Sequence, residues 1–133
     1  MNIGIDQIVE MLSWNNDKNT QAQGINEAKK IKNLSVFMQP IESKSIWENC
    51  ARVLASKEDQ ELNIYLIDLF QWLQDMNWPG ADIVYERLKK MPIKCIETAY
   101  RICLSLAEHT EDIAWKKVLL DFYKDLQHSK NNP

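Results

Sequence analysis

The sequence predicts an all-α fold of about seven to eight helices, paired as antiparallel hairpins. Three observations predict it. Chain breakers are scarce, with 3 Gly and 4 Pro in 133 residues. Apolar residues recur at three- and four-residue spacing along nearly the whole chain instead of alternating. The breaks between periodic stretches are short polar runs or prolines, which suit tight turns between neighbouring helices.

The first stripe is Ile5, Ile8, Val9 and Leu12, ended by the polar run Asn15–Asn19. A second helix is expected from about Thr20 to Lys32, carrying Ala22, Ile25, Ala28 and Ile31. A short third piece, Leu34–Met38, must stop before Pro40, because the residue preceding proline disfavours the α region. The fourth helix is expected to start near Ser45, where Ser45-Ile46-Trp47-Glu48 matches the S-x-x-E capping box. Its stripe is Ile46, Trp47, Cys50, Val53 and Leu54, and it breaks at Ser56–Asp59. The fifth carries Leu62, Tyr65, Leu66, Leu69, Phe70 and Leu73 and ends around Asp75.

Pro79 is tolerated in a first turn and opens the sixth helix, with Ile83, Val84, Leu88 and Met91. Pro92 opens the seventh, with Ile93, Ile96, Ala99, Tyr100, Cys103 and Leu106 or Ala107. Thr110 is expected to cap the eighth, and Glu111 and Asp112 suit the positive end of its dipole. That helix is expected to bury Ala114 or Trp115, with Val118, Leu119, Phe122 and Leu126. Residues 1–128 then make one domain, and 129–133 fray. Asp68–Gln74 echoes Asp121–Gln127, and Ala51-Arg52-Val53 echoes Tyr100-Arg101-Ile102. The offsets, both about 50 residues, suggest a degenerate two-helix repeat of the HEAT-like α-solenoid or α-α superhelix type.

Charge and cysteine content exclude several functions. The net charge is −3, and neither half of the chain is basic, so a nucleic-acid partner is not expected, although a local basic strip is open to a folded surface. The 3 cysteines, Cys50, Cys95 and Cys103, contain no CxxC pair. Cys95 and Cys103 on one helix lie roughly 12 Å apart and cannot bridge. All three are expected to be buried free thiols, as in a reducing cytosol. The start MNIGIDQIVEM lacks a basic run followed by an apolar one, so no signal peptide and no membrane span are expected, and the expected location is cytoplasmic. No Gly-rich phosphate loop, H-E-x-x-H, G-x-S-x-G or metal-spaced cluster is present, so no catalytic, cofactor or metal residue is assigned.

The stretch WLQDMNWPGA, residues 72–81, is the most distinctive in the chain. As a scaffold corner, Trp72 and Leu73 end one helix, Asp75 and Asn77 satisfy turn N–H groups, and Trp78 folds back before Pro79. As a site, Trp78 with Asp75 and Gln74 is a recognition surface, since tryptophan is enriched at interface hot spots. The scaffold reading has precedence because it gives every residue a local task. Trp14 and Trp47 lie on apolar stripes and read as core, while Trp115 is either core or a surface anchor.

Tyr65, Leu66 and Leu69, followed by Trp72-Leu73-Gln74-Asp75, Asn77-Trp78-Pro79 and Ala81, resemble a bacterial HEAT-like family of unknown function with a W-L-Q-D-x-N-W-P-x-A segment. Gly24-Ile25 with Ala28, and Phe37-Met38-Gln39-Pro40, agree with that resemblance. The resemblance carries no activity, but similar small helical proteins often sit beside bacterial toxin genes, where they act as immunity proteins. It therefore implies a non-catalytic protein-binding module whose partner is another protein, such as a toxin domain that it blocks sterically. The residues expected to bind are Glu58, Asp59 and Glu61 at one helix start, and Asp75, Asn77 and Trp78 at the corner. Two other classes compete. A DNA-repair-type enzyme on a HEAT-like scaffold would need a basic concave face with an aromatic pocket. A general adaptor subunit would display a large apolar patch. The oligomeric state is open at this level.

Overall fold

The computed structural model describes residues 4–41 and 43–131, with 129–131 defined by backbone only. All regular structure among these residues is helical. The first hairpin is α1 (Ile5–Met11) with α2 (Lys18–Ala28). Asp17 starts α2 by accepting from the Thr20 N–H at 2.7 Å, a bond that also lowers its carboxyl pKa. The helix therefore begins at Lys18 and stops at Ala28, short of the expected Lys32. A Cβ on Gly24 would lie 2.8 Å from the Met11 Cβ, so the close approach of the two helices needs a glycine there. Leu34–Phe37 is a single 3-10 turn that buries Leu34 and Phe37.

The capping box expected at Ser45 does not form. Lys44–Ile46 is a 3-10 turn, and α3 (Trp47–Ala55) grows directly out of it. Ser45 precedes the helix, and its hydroxyl bonds Ser13 at 2.9 Å and Ser43 at 2.6 Å. A reciprocal cap occurs one helix later. There the Glu58 N–H donates to Glu61 Oε1 at 3.2 Å, opening α4 (Asp59–Leu62). The expected fifth helix is a composite. α4 passes through a 3-10 turn at Asn63–Tyr65 into α5 (Leu66–Gln71), which tightens into another at Trp72–Gln74. Tyr65, at φ −111° and ψ 10°, is where the α ladder breaks.

α6 (Ala81–Lys89) follows the corner, then α7 (Ile93–His109) and α8 (Ile113–Asn131). Thr110 does not cap α8. Its hydroxyl donates to the Leu106 carbonyl at 2.8 Å and closes α7 instead. Glu111 turns the chain in the left-handed region at φ 56°, and Asp112 caps α8 through the Trp115 N–H at 3.0 Å. The backbone of 129–131 belongs to α8, and 132–133 of the expected tail lie outside the described residues.

Packing sets the layers. α2 and the Leu34–Phe37 turn cover α3, α3 lies against α6, α5 against α7, and α7 against α8. The core runs continuously through Leu12, Phe37, Cys50, Leu54, Phe70, Trp72, Leu88, Leu119 and Phe122, all fully buried. Burying such side chains supplies about 1.5–3 kcal/mol each. Among the described residues no helix is long and apolar enough to cross a membrane.

Candidate functional site

The corner at residues 72–81 is built from within. Trp72 is fully buried, and its Nε1 donates to the Pro79 carbonyl at 3.1 Å, which ties the two ends of the corner together. Asp75 Oδ1 accepts from the Asn77 N–H at 2.8 Å, and the Trp78 N–H donates to the Asp75 carbonyl at 3.0 Å. Trp47 packs edge-on against both Trp72 (6.2 Å) and Trp78 (5.8 Å). Gly80 then delivers the chain to α6 at φ 85°, where a Cβ would sit 2.7 Å from the Ala51 Cβ and 3.0 Å from the Trp47 carbonyl oxygen. Proline 79 therefore precedes the helix, with Gly80 as the turning residue. Of the candidate residues here, Asp75 and Asn77 are exposed and Trp78 is half-buried against Trp47.

The acidic candidates at the start of α4 are engaged inside the molecule. Glu58 and Glu61 form the reciprocal cap. Asp59 Oδ1 accepts from Arg87 Nη2 at 2.7 Å. Arg87 also donates to the carbonyls of Ala55 (3.1 Å) and Lys57 (2.7 Å), so it clamps the α3–α4 turn onto α6. The structure therefore places the two groups of candidates on separate elements, with local structural tasks in each.

Other sequence expectations resolve individually. Trp14 is 49% exposed and is not core; its N–H donates to the Ser45 carbonyl. Trp115 is core, with Nε1 donating to the Phe70 carbonyl at 3.0 Å. Cys50 and Cys103 are buried, and burial pushes their thiols up to about 12 and about 11. Cys95 is exposed, contrary to expectation, because it falls off the Ile96–Ala99–Cys103 stripe of α7. His109 Nδ1 lies 3.0 Å from the Ser105 carbonyl, a helix-end contact. Among the described residues no group of three or more His, Cys, Asp or Glu is placed to hold a metal.

The feature that sequence reading missed is a groove of about 780 Å³ along α7 and α8. Its apolar wall is Leu104, Ile113, Leu120 and Tyr123, with Tyr100 at its base. Ile113 is 81% exposed and Leu120 45%. Tyr100 is fixed by donating to the Leu119 carbonyl at 2.7 Å, and its ring packs on Phe122 and Tyr123. Burial raises its phenol to about 12, so it stays neutral. Arg101, Lys116, Lys117 and Lys124 rim the groove, opposed within it only by Asp121. Lys117 pairs with Asp121 at 3.0 Å and Arg101 with Glu97 at 2.6 Å, while Lys116 and Lys124 form no ion pair among the described residues. A signal for this face was present. Ile113, Lys116, Lys117, Leu120 and Lys124 share a second stripe on α8, turned away from Trp115, Leu119, Phe122 and Leu126.

A family model described as a domain of unknown function, DUF5071, matches residues 46–132, and the chain belongs to that family. The match takes in α3 to α8 with the corner and the groove, and begins after α1 and α2. No curated protein and no solved structure matches the chain.

Proposed function

We propose that this DUF5071 member is a non-catalytic protein-binding module whose contact face is the α7–α8 groove. The observation that carries the reading is exposed apolar surface in a concave setting, rimmed by cations of which Lys116 and Lys124 form no ion pair among the described residues. Leu120 and Ile113 face outward on a helix whose core face is already filled by Trp115, Leu119 and Phe122. A helix needs only one apolar stripe to fold onto its core, and Ile113 and Leu120 lie outside that stripe among lysines, which supports a contact role for this face. The Tyr100 hydroxyl donates to a backbone carbonyl and not to a base that would make a nucleophile of it, which favours binding over catalysis.

A finer form of this proposal is an immunity protein that covers a cognate bacterial toxin in the cytoplasm. It rests on the resemblance of the WLQDMNWPGA segment, and a HEAT-like stacking of helix pairs belongs to the same proposal. The sequential α1–α2 and α7–α8 contacts favour such stacking, whereas α3–α6 and α5–α7 skip intervening elements. In that form, Glu58, Asp59 and Glu61 at the start of α4 and Asp75, Asn77 and Trp78 at the corner supply further contacts.

The test is affinity capture from the expressing cell with three proteins: wild type, Ile113→Glu/Leu120→Glu, and Glu58→Lys/Asn77→Ala. Loss of a stoichiometric partner in the groove variant alone supports the reading. Retention in the groove variant with loss in the other moves the face to the corner and α4. Growth rescue when the chain is co-expressed with a toxic captured partner supports the immunity form.

A further inference from the structure

We infer that the occupant of the α7–α8 groove is an acidic amphipathic helix of another protein, lying parallel to α8. The inference rests on the groove being the contact face.

The shape argues for a helix. The apolar contacts on α8, Ile113 and Leu120, are seven residues apart, about two helical turns or roughly 10 Å. Leu104 faces them from α7. A helix presenting apolar residues at i, i+3 or i+4, and i+7 matches this spacing.

The charge argues for acidic flanks. The whole chain is net negative at −3, yet the groove's own lining carries four cations against Asp121 alone. The two cations with internal partners, Arg101 and Lys117, are in solvent-exposed pairs, which are weak. Among the described residues Lys116 and Lys124 have no ion-pair partner, which suits them to meet carboxylates.

The same features disfavour other anionic partners. Nucleic acid would need a row of phosphate contacts or an open ring to stack on, and the tyrosine rings here pack on each other. A membrane would need a convex apolar face, and these apolar residues line a concave one.

Polarity follows from the end of the groove. Around Ile113 and Lys116 a further recess is lined by Glu108, Glu111 and Asp112. Carboxylates there favour the positive amino end of a bound helix, and Lys124 favours its carboxyl end.

The experiment is a display selection on the intact chain, using a library of helical peptides with a fixed leucine stripe and randomised flanks. The expected result is enrichment of Asp and Glu flanks. Affinity should fall at least about tenfold in Lys116→Glu/Lys124→Glu and be lost in Ile113→Glu/Leu120→Glu. A spin label on the peptide amino terminus should broaden amide signals at 108–113 and spare 124–127. Basic or neutral flanks, no enrichment, or equal binding to the variants overturns the inference. So does binding to phosphatidylglycerol vesicles or single-stranded DNA in place of the peptides, and the reverse broadening pattern overturns the orientation. If the captured cellular partner is still lost in the groove variant while acidic peptides fail, only this inference falls. If the groove variant keeps that partner, the proposed function falls.

Discussion

Gly80 concentrates the corner's constraints in one residue. Its φ of 85° strains any side chain, and a Cβ there would collide with the Ala51 Cβ and the Trp47 carbonyl, neither of which can swing aside. Gly80→Ala is expected to lose about 2–4 kcal/mol, combining left-handed strain with overpacking. Urea unfolding with an unchanged m value checks it. The sequence marks Gly80 as a turn residue beside Pro79, but the close approach of α3 is a tertiary fact with no local signal. The thiols give a second residue-scale prediction. In the native protein Cys95 should react rapidly with a maleimide, whereas Cys50 and Cys103 should react only on unfolding. Their pKa values are raised, so the unfolded thiols ionise first, near 9. The stability they contribute is complete below that pH and is lost as pH rises from 9 towards 11 and 12. A Cys50→Ala/Cys103→Ala protein should therefore show a shallower fall in urea midpoint between pH 8 and 10.5, whatever its stability at neutral pH.

At the scale of elements, caps and clamps decide where helices begin, and these were the least legible features. The stripes themselves were plain: the apolar period placed Cys50, Val53 and Leu54 of α3, and Leu119, Phe122 and Leu126 of α8, in the core. The caps misled because Ser45 and Thr110 are good cap residues used by other partners, Ser13 and Leu106. Glutamate is a poor cap by propensity, yet Glu58 serves. Arg87 was invisible as a clamp because its acceptors are carbonyls about 30 positions away in sequence. Arg87→Ala is expected to destabilise the chain by about 2–3 kcal/mol, since it frees Asp59 and the carbonyls of the α3–α4 turn. Arg87→Lys should recover little, because one ammonium cannot span three acceptors. Thermal melts of the two variants measure this, and a near-complete rescue by lysine would contradict the fork geometry.

Across the whole molecule, the apolar core reaches beyond the stretch that the family match covers. The match begins at residue 46, but α2 and the Leu34–Phe37 turn cover α3, and hydrogen bonds fasten described residues before 46 to α3 and to the turn after it. Asn49 Nδ2 donates to the Leu12 carbonyl and to Gln21 Oε1, both at 2.8 Å. Trp47 Nε1 donates to the Pro40 carbonyl at 2.6 Å, and Lys57 Nζ to the Lys29 carbonyl at 2.5 Å. Leu12, Ala28, Leu34 and Phe37 belong to the same apolar cluster as Cys50 and Leu54. Periodicity identified each of these stripes but not their mates, because which faces meet depends on the turns between them. A fragment of residues 46–133 would therefore expose the buried outer face of α3 and leave the Asn49 amide without its partners. The intact chain is expected to unfold in one calorimetric transition with equal van't Hoff and calorimetric enthalpies. The fragment should melt well below it, bind a hydrophobic dye and lose near-ultraviolet tryptophan signal from Trp47. Because the groove lies on α7 and α8, away from the cut, acidic-helix binding at low temperature should survive better than stability does. Two separate transitions in the intact chain, or a fragment as stable as the whole, would mean that the first 45 residues are an appendage and that the matched segment is the true folding unit.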